Sequence, residues 1–254
     1  MITYLELGSK SPEFHESYEV IGLDIDPEFV EPEDYVRERF RIQEEGAKTE
    51  DERRLIPNGY RIHMIAAKDD QAGKIAGAIY TNFIPKIGDE NRGFALVSYL
   101  AVLPDYRRQG IATQLIESAI KPNHADALRI TGKPAVGLLF EIENEGKEPI
   151  EELVRKMGGW PLDIDYYQPS VREGCDEQPM NLWFMTFDQE ITSLEEAKAK
   201  NYPVSFIHNM VKSLFIYEYP GQDRAGFKET SKAYQELIRS IGNRTVIGFK
   251  LDKV

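Results

Sequence analysis

The sequence predicts a mixed α/β fold, with a mainly antiparallel central sheet flanked by helices and a helical C-terminal extension. Three observations predict it. Tyr60 to Ala67 and Lys74 to Ile84 are strand-like runs separated by the polar turn Lys68 to Gly73, which reads as an antiparallel hairpin. The near-continuous apolar run Phe94 to Leu103 indicates a strand buried on both faces, and it leads through a tight turn into a helix. Beyond residue 190, apolar side chains recur at helical spacing.

In chain order, Ser11-Pro12 supplies an N-cap and a first-turn proline for a helix carrying Phe14, Tyr18 and Ile21 on one side. Pro27 interrupts or follows it. A second helix starts near Pro32 with Tyr35, Val36 and Phe40 on one side, and its charged continuation, Gln43 to Arg54, reads as a solvated helix end or loop. After the hairpin and the Phe94 strand, Ile111, Ala112, Leu115, Ile116, Ala119 and Ile120 trace an amphipathic helix ending at Pro122. Ala135 to Ile142 is a mostly apolar strand, and Pro149 to Met157 a helix stopped by Gly158-Gly159. Leu162 to Tyr167 and Asn181 to Phe187 read as two more strands. Then follow a short helix from Leu194 to Lys200, a longer one from Val204 to Tyr217, a third ending at Ile241 before Gly242, and a terminal strand within Arg244 to Leu251. The reading divides the chain into a core at 1–190 and an extension at 191–254. No flexible linker separates them and the extension carries aromatic residues in need of cover, so it is expected to pack on the core.

The 254 residues carry a formal net charge of -12. That argues against nucleic acid as a main partner, since phosphate backbones demand clustered positive charge. A cationic amine is compatible, although acidity of this kind commonly serves solubility. One cysteine, Cys175, excludes an internal disulfide framework, and the four scattered histidines offer no metal-ligand spacing. No window approaches a membrane span and the N-terminus lacks a signal-like pattern, so the expectation is a soluble cytoplasmic protein, with oligomerisation open.

The most informative segment is Val102 to Ala112, where the buried strand passes through Pro104 and ends its turn in Arg107-x-x-Gly110-x-Ala112. Pro104 cannot donate to a ladder and ends the strand. Gly110 has no Cβ, so its backbone can approach a phosphate closely. Backbone N–H groups gathered at a helix N-terminus form an anion seat, and Arg107 or Arg108 can add a charge-assisted bond.

This pattern, carried by Val102, Pro104, Arg107, Gly110 and Ala112, resembles the acyl-coenzyme-A pyrophosphate loop of the GNAT superfamily of N-acetyltransferases. The element order matches that fold over about the first 190 residues. The resemblance implies acetyl-CoA as cosubstrate, held by Arg107, Arg108, Gln109, Gly110, Ile111, Ala112 and Thr113. It also implies main-chain contacts to the pantetheine arm from a bulged strand at Leu100, Ala101 and Val102. Tyr166-Tyr-Gln-Pro followed by Asn181 to Met185 resembles a sparsely described bacterial subgroup with a helical C-terminal extension, which supplies no substrate.

Acyl transfer to an amine needs proton removal from the ammonium and a proton for the leaving thiolate. Alternation along Leu139 to Asn144 puts Glu141 and Glu143 on one strand face, about 7 Å apart. Burial and mutual repulsion can raise a carboxylate pKa there, so either can act in catalysis or amine recognition; otherwise both are surface charges. Many family members place an acid tyrosine on the following helix, but Val154 stands at the matching position. Tyr167, with Tyr166 and Tyr99, is the substitute considered. The leading expectation is acetyl transfer to a primary amine, of a small molecule or a protein. A non-catalytic acyl-CoA sensor and a long-chain N-acyltransferase are the alternatives.

Overall fold

The computed structural model describes residues 1–23, 30–143, 148–169, 178–187, 199–218 and 232–250. Ile2–Leu7 (β1) leads into helices Phe14–Gly22 (α1), Glu33–Glu45 (α2) and Glu50–Leu55 (α3). Strands Arg61–Asp69 (β2), Lys74–Ile84 (β3) and Phe94–Val102 (β4) follow, then the long helix Ile111–Thr131 (α4), Gly137–Glu143 (β5) and Glu148–Lys156 (α5). Gly159–Pro161 (β6), Tyr166–Gln168 (β7) and Gln178–Thr186 (β8) complete the main sheet. Tyr202–Pro203 (β9), helices Val204–Glu218 (α6) and Lys232–Ile241 (α7), and Val246–Ile247 (β10) make up the described C-terminal part.

The main sheet runs β1-β2-β3-β4-β5-β8-β6, with β7 also on β8. β4 and β5 pair in parallel, and the other described pairs are antiparallel. Helices α4 and α5 cover one face, where Ile111, Leu115, Ile116, Ala119 and Val154 pack on Ile79, Val97, Leu138 and Phe140. On the other face α1, α2, α6 and α7 share one apolar cluster with the sheet, so the C-terminal helices add Ile207, Met210, Leu214 and Leu237 to the same core as Phe14 and Phe40. Among the described residues no helix is long and apolar enough to cross a membrane.

Several expectations change. β1 was not foreseen: its side chains face two partly covered surfaces, Ile2 and Tyr4 toward one cluster and Leu5 and Leu7 toward the other, so no clean polar alternation marks it. Ser11 does not cap α1; its hydroxyl accepts from Gly8 N–H at 2.9 Å, and the helix begins at Phe14. The charged stretch after α2 contains a real helix, because Thr49 and Glu52 form a reciprocal capping box. α4 does not stop at Pro122. The next residue, Asn123, is fully buried and donates to the Ala119 carbonyl at 2.8 Å and to Thr81 Oγ1 at 2.8 Å, while Ala127 and Thr131 extend the buried stripe. Packing thus outweighs the hydrogen bond that proline removes. Of the strand expected over 162–167 only Tyr166 and Tyr167 fall in a strand, β7, while Asp163 N–H turns to the Gly248 carbonyl and β6 precedes the expected span. The terminal strand shortens to β10; Pro27 and the expected helix from Leu194 lie largely outside the described residues.

His63 on β2 is nearly buried between Asp126 Oδ2 on α4, at 3.0 Å, and Glu6 Oε1 on β1, at 2.9 Å. Burial alone pulls its pKa down, but the hydrogen bonds to Asp126 and Glu6 outweigh it and hold the imidazole above 6.5. Burial pushes Asp126 up, and its bonds to His63 and Arg129 reverse this and keep it low; the bond to His63 does the same for Glu6. The histidine's contribution is complete below its unfolded pKa and lost as pH rises through its higher folded value. The carboxylates' contribution is lost as pH falls through their depressed folded values. His63→Ala is therefore expected to cost roughly 2 kcal/mol near pH 6. The cost should shrink at pH 8.5, as read by urea unfolding at both values. Exposure of Glu6 leaves most of the effect with Asp126.

Candidate active site

The turn after β4 is fixed by its own short-range bonds. Pro104–Tyr106 forms one 3-10 turn, and the Tyr106 hydroxyl donates to Asp69 Oδ2 at 3.0 Å, pinning it to the end of β2. Arg107 Nε donates to the Val102 carbonyl at 2.9 Å, and Gln109 Nε2 to the Asp105 carbonyl at 3.1 Å. Arg108 and Gly110 have φ of 62° and 77°, and Arg108 is the non-glycine residue with positive φ among the described residues. Left-handed backbone at a bulky residue is uncommon and marks a turn held by its surroundings. Gly110 is the N-cap of α4 and no side chain caps that helix, so its first N–H groups point out of a turn whose residues 107–110 are exposed. A Cβ built on Gly110 meets nothing within 4 Å. Of the loop residues expected to contact the cofactor, Ile111 is anchored in the core by its side chain and can contribute only main chain, whereas Ala112 and Thr113 are half-buried.

Upstream, β4 carries a bulge. Its partner register with β3 jumps from Tyr80↔Tyr99 to Thr81↔Val97, which leaves Ser98 as the extra residue. Pairing with β5 ends at Val97↔Phe140, although β4 continues to Val102 and β5 to Glu143. The two strands part there, exposing the β4 edge on the segment Ser98–Val102 that includes Leu100, Ala101 and Val102. Leu100 and Val102 pack toward α4 and Ala101 toward the opposite cluster.

Glu141 stands half-buried on β5 and Glu143 is exposed at its end. The Tyr166 hydroxyl donates to Glu141 Oε1, and Gln168 Nε2 lies 3.4 Å from Glu141 Oε2. Of the adjacent tyrosines it is therefore the Tyr166 hydroxyl that meets Glu141, while Tyr167 lies half-buried against the larger cluster. Val154 is fully buried beneath the sheet, so no hydroxyl arises from that position.

A second set of polar residues, missed from the sequence, lies on the face opposite α4. Glu218, the last residue of α6, is buried and accepts from the Tyr60 hydroxyl at 2.6 Å, from Asn82 Nδ2, and from the bulge residue Ser98 at 3.4 Å. Asn82 also donates to Ser98 Oγ at 2.6 Å. Arg39, 1% exposed, reaches the Tyr60 hydroxyl and both oxygens of Glu31 at 3.0 Å. Tyr99 stacks on Tyr80, and its hydroxyl accepts from Glu31 N–H at 3.3 Å. Burial pushes the hydroxyls of Tyr60, Tyr80 and Tyr99 well up, so they stay protonated. Burial likewise raises Glu218 to about 7, against the pull of Arg39 and with further repulsion from Glu31 and Glu141. The missed signal was a charged residue on an apolar stripe: Glu218 continues the buried row Met210, Val211 and Leu214, and Asn82 interrupts Tyr80 and Ile84.

The profile of the acetyltransferase (GNAT) family matches residues 24–132, a span that holds the loop, the bulged strand and α4. That segment is similar to the GNAT acetyltransferases. The mixed, mainly antiparallel sheet flanked by helices is that of the GNAT fold. Among solved structures, a protein from Bacteroides thetaiotaomicron described as a GNAT-family acetyltransferase superposes with a TM-score of 0.52 at 16% identity, over 86% of this chain and 98% of its own. A chain of the NatC complex, solved bound to Gag peptide and CoA, gives 0.51 at 20% identity, over 73% and 98%. These likenesses concern the fold. No curated protein matches the sequence.

Proposed function

We propose that this protein transfers the acetyl group of acetyl-CoA to a primary amine, borne by a small molecule or a protein. The observation that carries the reading is the exposed turn at Arg107–Gly110, capped by a glycine in left-handed conformation, beside a strand edge left open where β4 and β5 part. Residues 107 to 113 are the seat for the pyrophosphate, with the N–H groups opening α4 as donors and Arg107 and Arg108 as exposed cations. The space before Gly110 fits that use, since a side chain would fill it. The Leu100, Ala101 and Val102 main chain is the rail for the pantetheine arm. When bound, acetyl-CoA supplies an activated acyl carbon. The protein's own residues orient the acceptor and remove its proton, with Glu141, Glu143 and Tyr167 as candidates on the β5 side. Residues 1–190 constitute the transferase domain and 191–254 an extension packed on it, in a cytoplasmic setting that keeps Cys175 reduced.

Acetyl-CoA is to be incubated with a panel of primary amines while free thiol release is followed. Turnover on at least one amine is expected, and failure to bind any acyl-CoA overturns the reading. Binding without turnover on any amine instead supports the non-catalytic sensor, which the buried Val154 in place of a hydroxyl favours.

A further inference from the structure

The cluster around Glu218 is built to handle a positive charge. Arg39 is the cation within it, and its guanidinium is engaged by Glu31; Glu141 on β5 is near enough to repel Glu218. Glu31 and Glu218 therefore share one guanidinium among the described residues. Tyr60, Tyr80 and Tyr99 line the cluster and burial keeps them neutral, while Tyr217 stacks on Tyr60, Tyr35 lies against Arg39 and Tyr166 bonds Glu141. Two fully buried polar atoms of the same cluster, the Tyr80 hydroxyl and Asn82 Oδ1, have no partner among the described residues. An unpaired buried polar group is costly, and such groups recur where a site is kept ready for something else. Ser98 links the cluster to the reaction locus: it is the bulge residue on the strand edge that opens where β4 leaves β5, and its hydroxyl faces Glu218.

We propose that Glu218, contributed by the C-terminal helix, accepts the proton of the acceptor's ammonium, with the Ser98 hydroxyl bridging it to the open strand edge. The inference rests on the amine-transfer reading above. In the step, R-NH3+ gives one proton to the Glu218 carboxylate. The freed nitrogen lone pair then forms the C–N bond to the acetyl carbon as the C–S bond breaks with its electron pair going to sulfur. The surplus proton on that nitrogen passes to the sulfur, giving amide and thiol, and Glu218 releases its proton to solvent. Two carboxylates, Glu31 and Glu218, against one guanidinium suit a cationic acceptor, and the neutral tyrosines can donate hydrogen bonds without competing for its proton.

The test uses the full chain and compares the wild type with Glu218→Gln and Glu218→Asp. Coenzyme A affinity is measured by calorimetry, thiol release is measured from pH 5.5 to 9 with the amine panel, and the buried carboxyl is followed by infrared difference spectroscopy with n-butylammonium chloride against sodium chloride. Expected in Glu218→Gln is a loss of kcat/KM of about a hundredfold or more. The acidic limb near pH 7 should vanish. Coenzyme A affinity should remain unchanged, and Glu218→Asp should recover part of the rate. In the wild type without donor, n-butylammonium should lower the carboxyl midpoint by about half a pH unit or more. If Glu218→Gln fails to fold, the wild-type infrared titration and Glu218→Asp decide. Full activity with an unchanged pH profile in Glu218→Gln, or a midpoint that ignores the amine, overturns the assignment while leaving the transferase reading standing. A wild type that turns over no amine overturns both.

Discussion

Replacing Arg39 by methionine is expected to destabilise the protein by about 3–5 kcal/mol, the cost of leaving a buried charge without its partner. Arg39 is 1% exposed and bonded to both oxygens of Glu31, and it supplies the positive field that holds down the Glu218 pKa. Methionine keeps the volume and removes the charge, so the loss reports electrostatics more than packing. Urea unfolding of R39M, E31Q and the double variant separates the pair: the double variant should be less destabilised than the two single losses added together. Simple additivity would show that the Arg39–Glu31 contact contributes no coupling energy. The remaining carboxyl, Glu218, should then titrate higher still.

Gly110→Leu should weaken acetyl-CoA binding roughly a hundredfold, or by about 2.7 kcal/mol. The two ingredients are separable. Any side chain at φ of +77° pays for a left-handed backbone, about 1–2 kcal/mol. A leucine additionally fills the open space before the α4 N-terminus. Gly110→Ala pays mainly the first cost, so its stability should fall about as far as that of the leucine variant while its affinity for acetyl-CoA falls less. Calorimetric titration with acetyl-CoA, paired with thermal unfolding, reads both. Unchanged affinity in the leucine variant would remove the pyrophosphate from this loop.

The geometry of the loop proposed to hold the donor was legible in the sequence because it depends on local rules. A glycine that must adopt positive φ, a proline that ends a strand and a helix that begins seven residues after it all lie within one stretch of chain, and the turn appears where they put it. The strands Lys74 to Ile84 and Phe94 to Val102 were legible because a sheet covered on both faces leaves long apolar runs. β1 was lost for the converse reason, its two faces being only partly covered. Pro122 misled because the rule against interior proline is local, whereas Asn123 secures the helix through contacts with Ala119 and β3. The Glu218 cluster assembles residues separated by up to 187 positions, from Glu31 to Glu218, and no spacing rule reaches that far. Only the polarity of Glu218 and Asn82 on otherwise apolar rows hinted at it.

Glu218 also holds α6 to the sheet, through Tyr60 on the approach to β2, Asn82 on β3 and Ser98 on β4. An acceptor gripped at this carboxylate therefore binds the C-terminal helix and the sheet together, and linkage makes the effect mutual. Occupancy by the amine should slow amide hydrogen exchange along residues 204–218. A lesion that loosens that helix should raise the amine concentration needed for half-saturation, even when it lies far from the thioester.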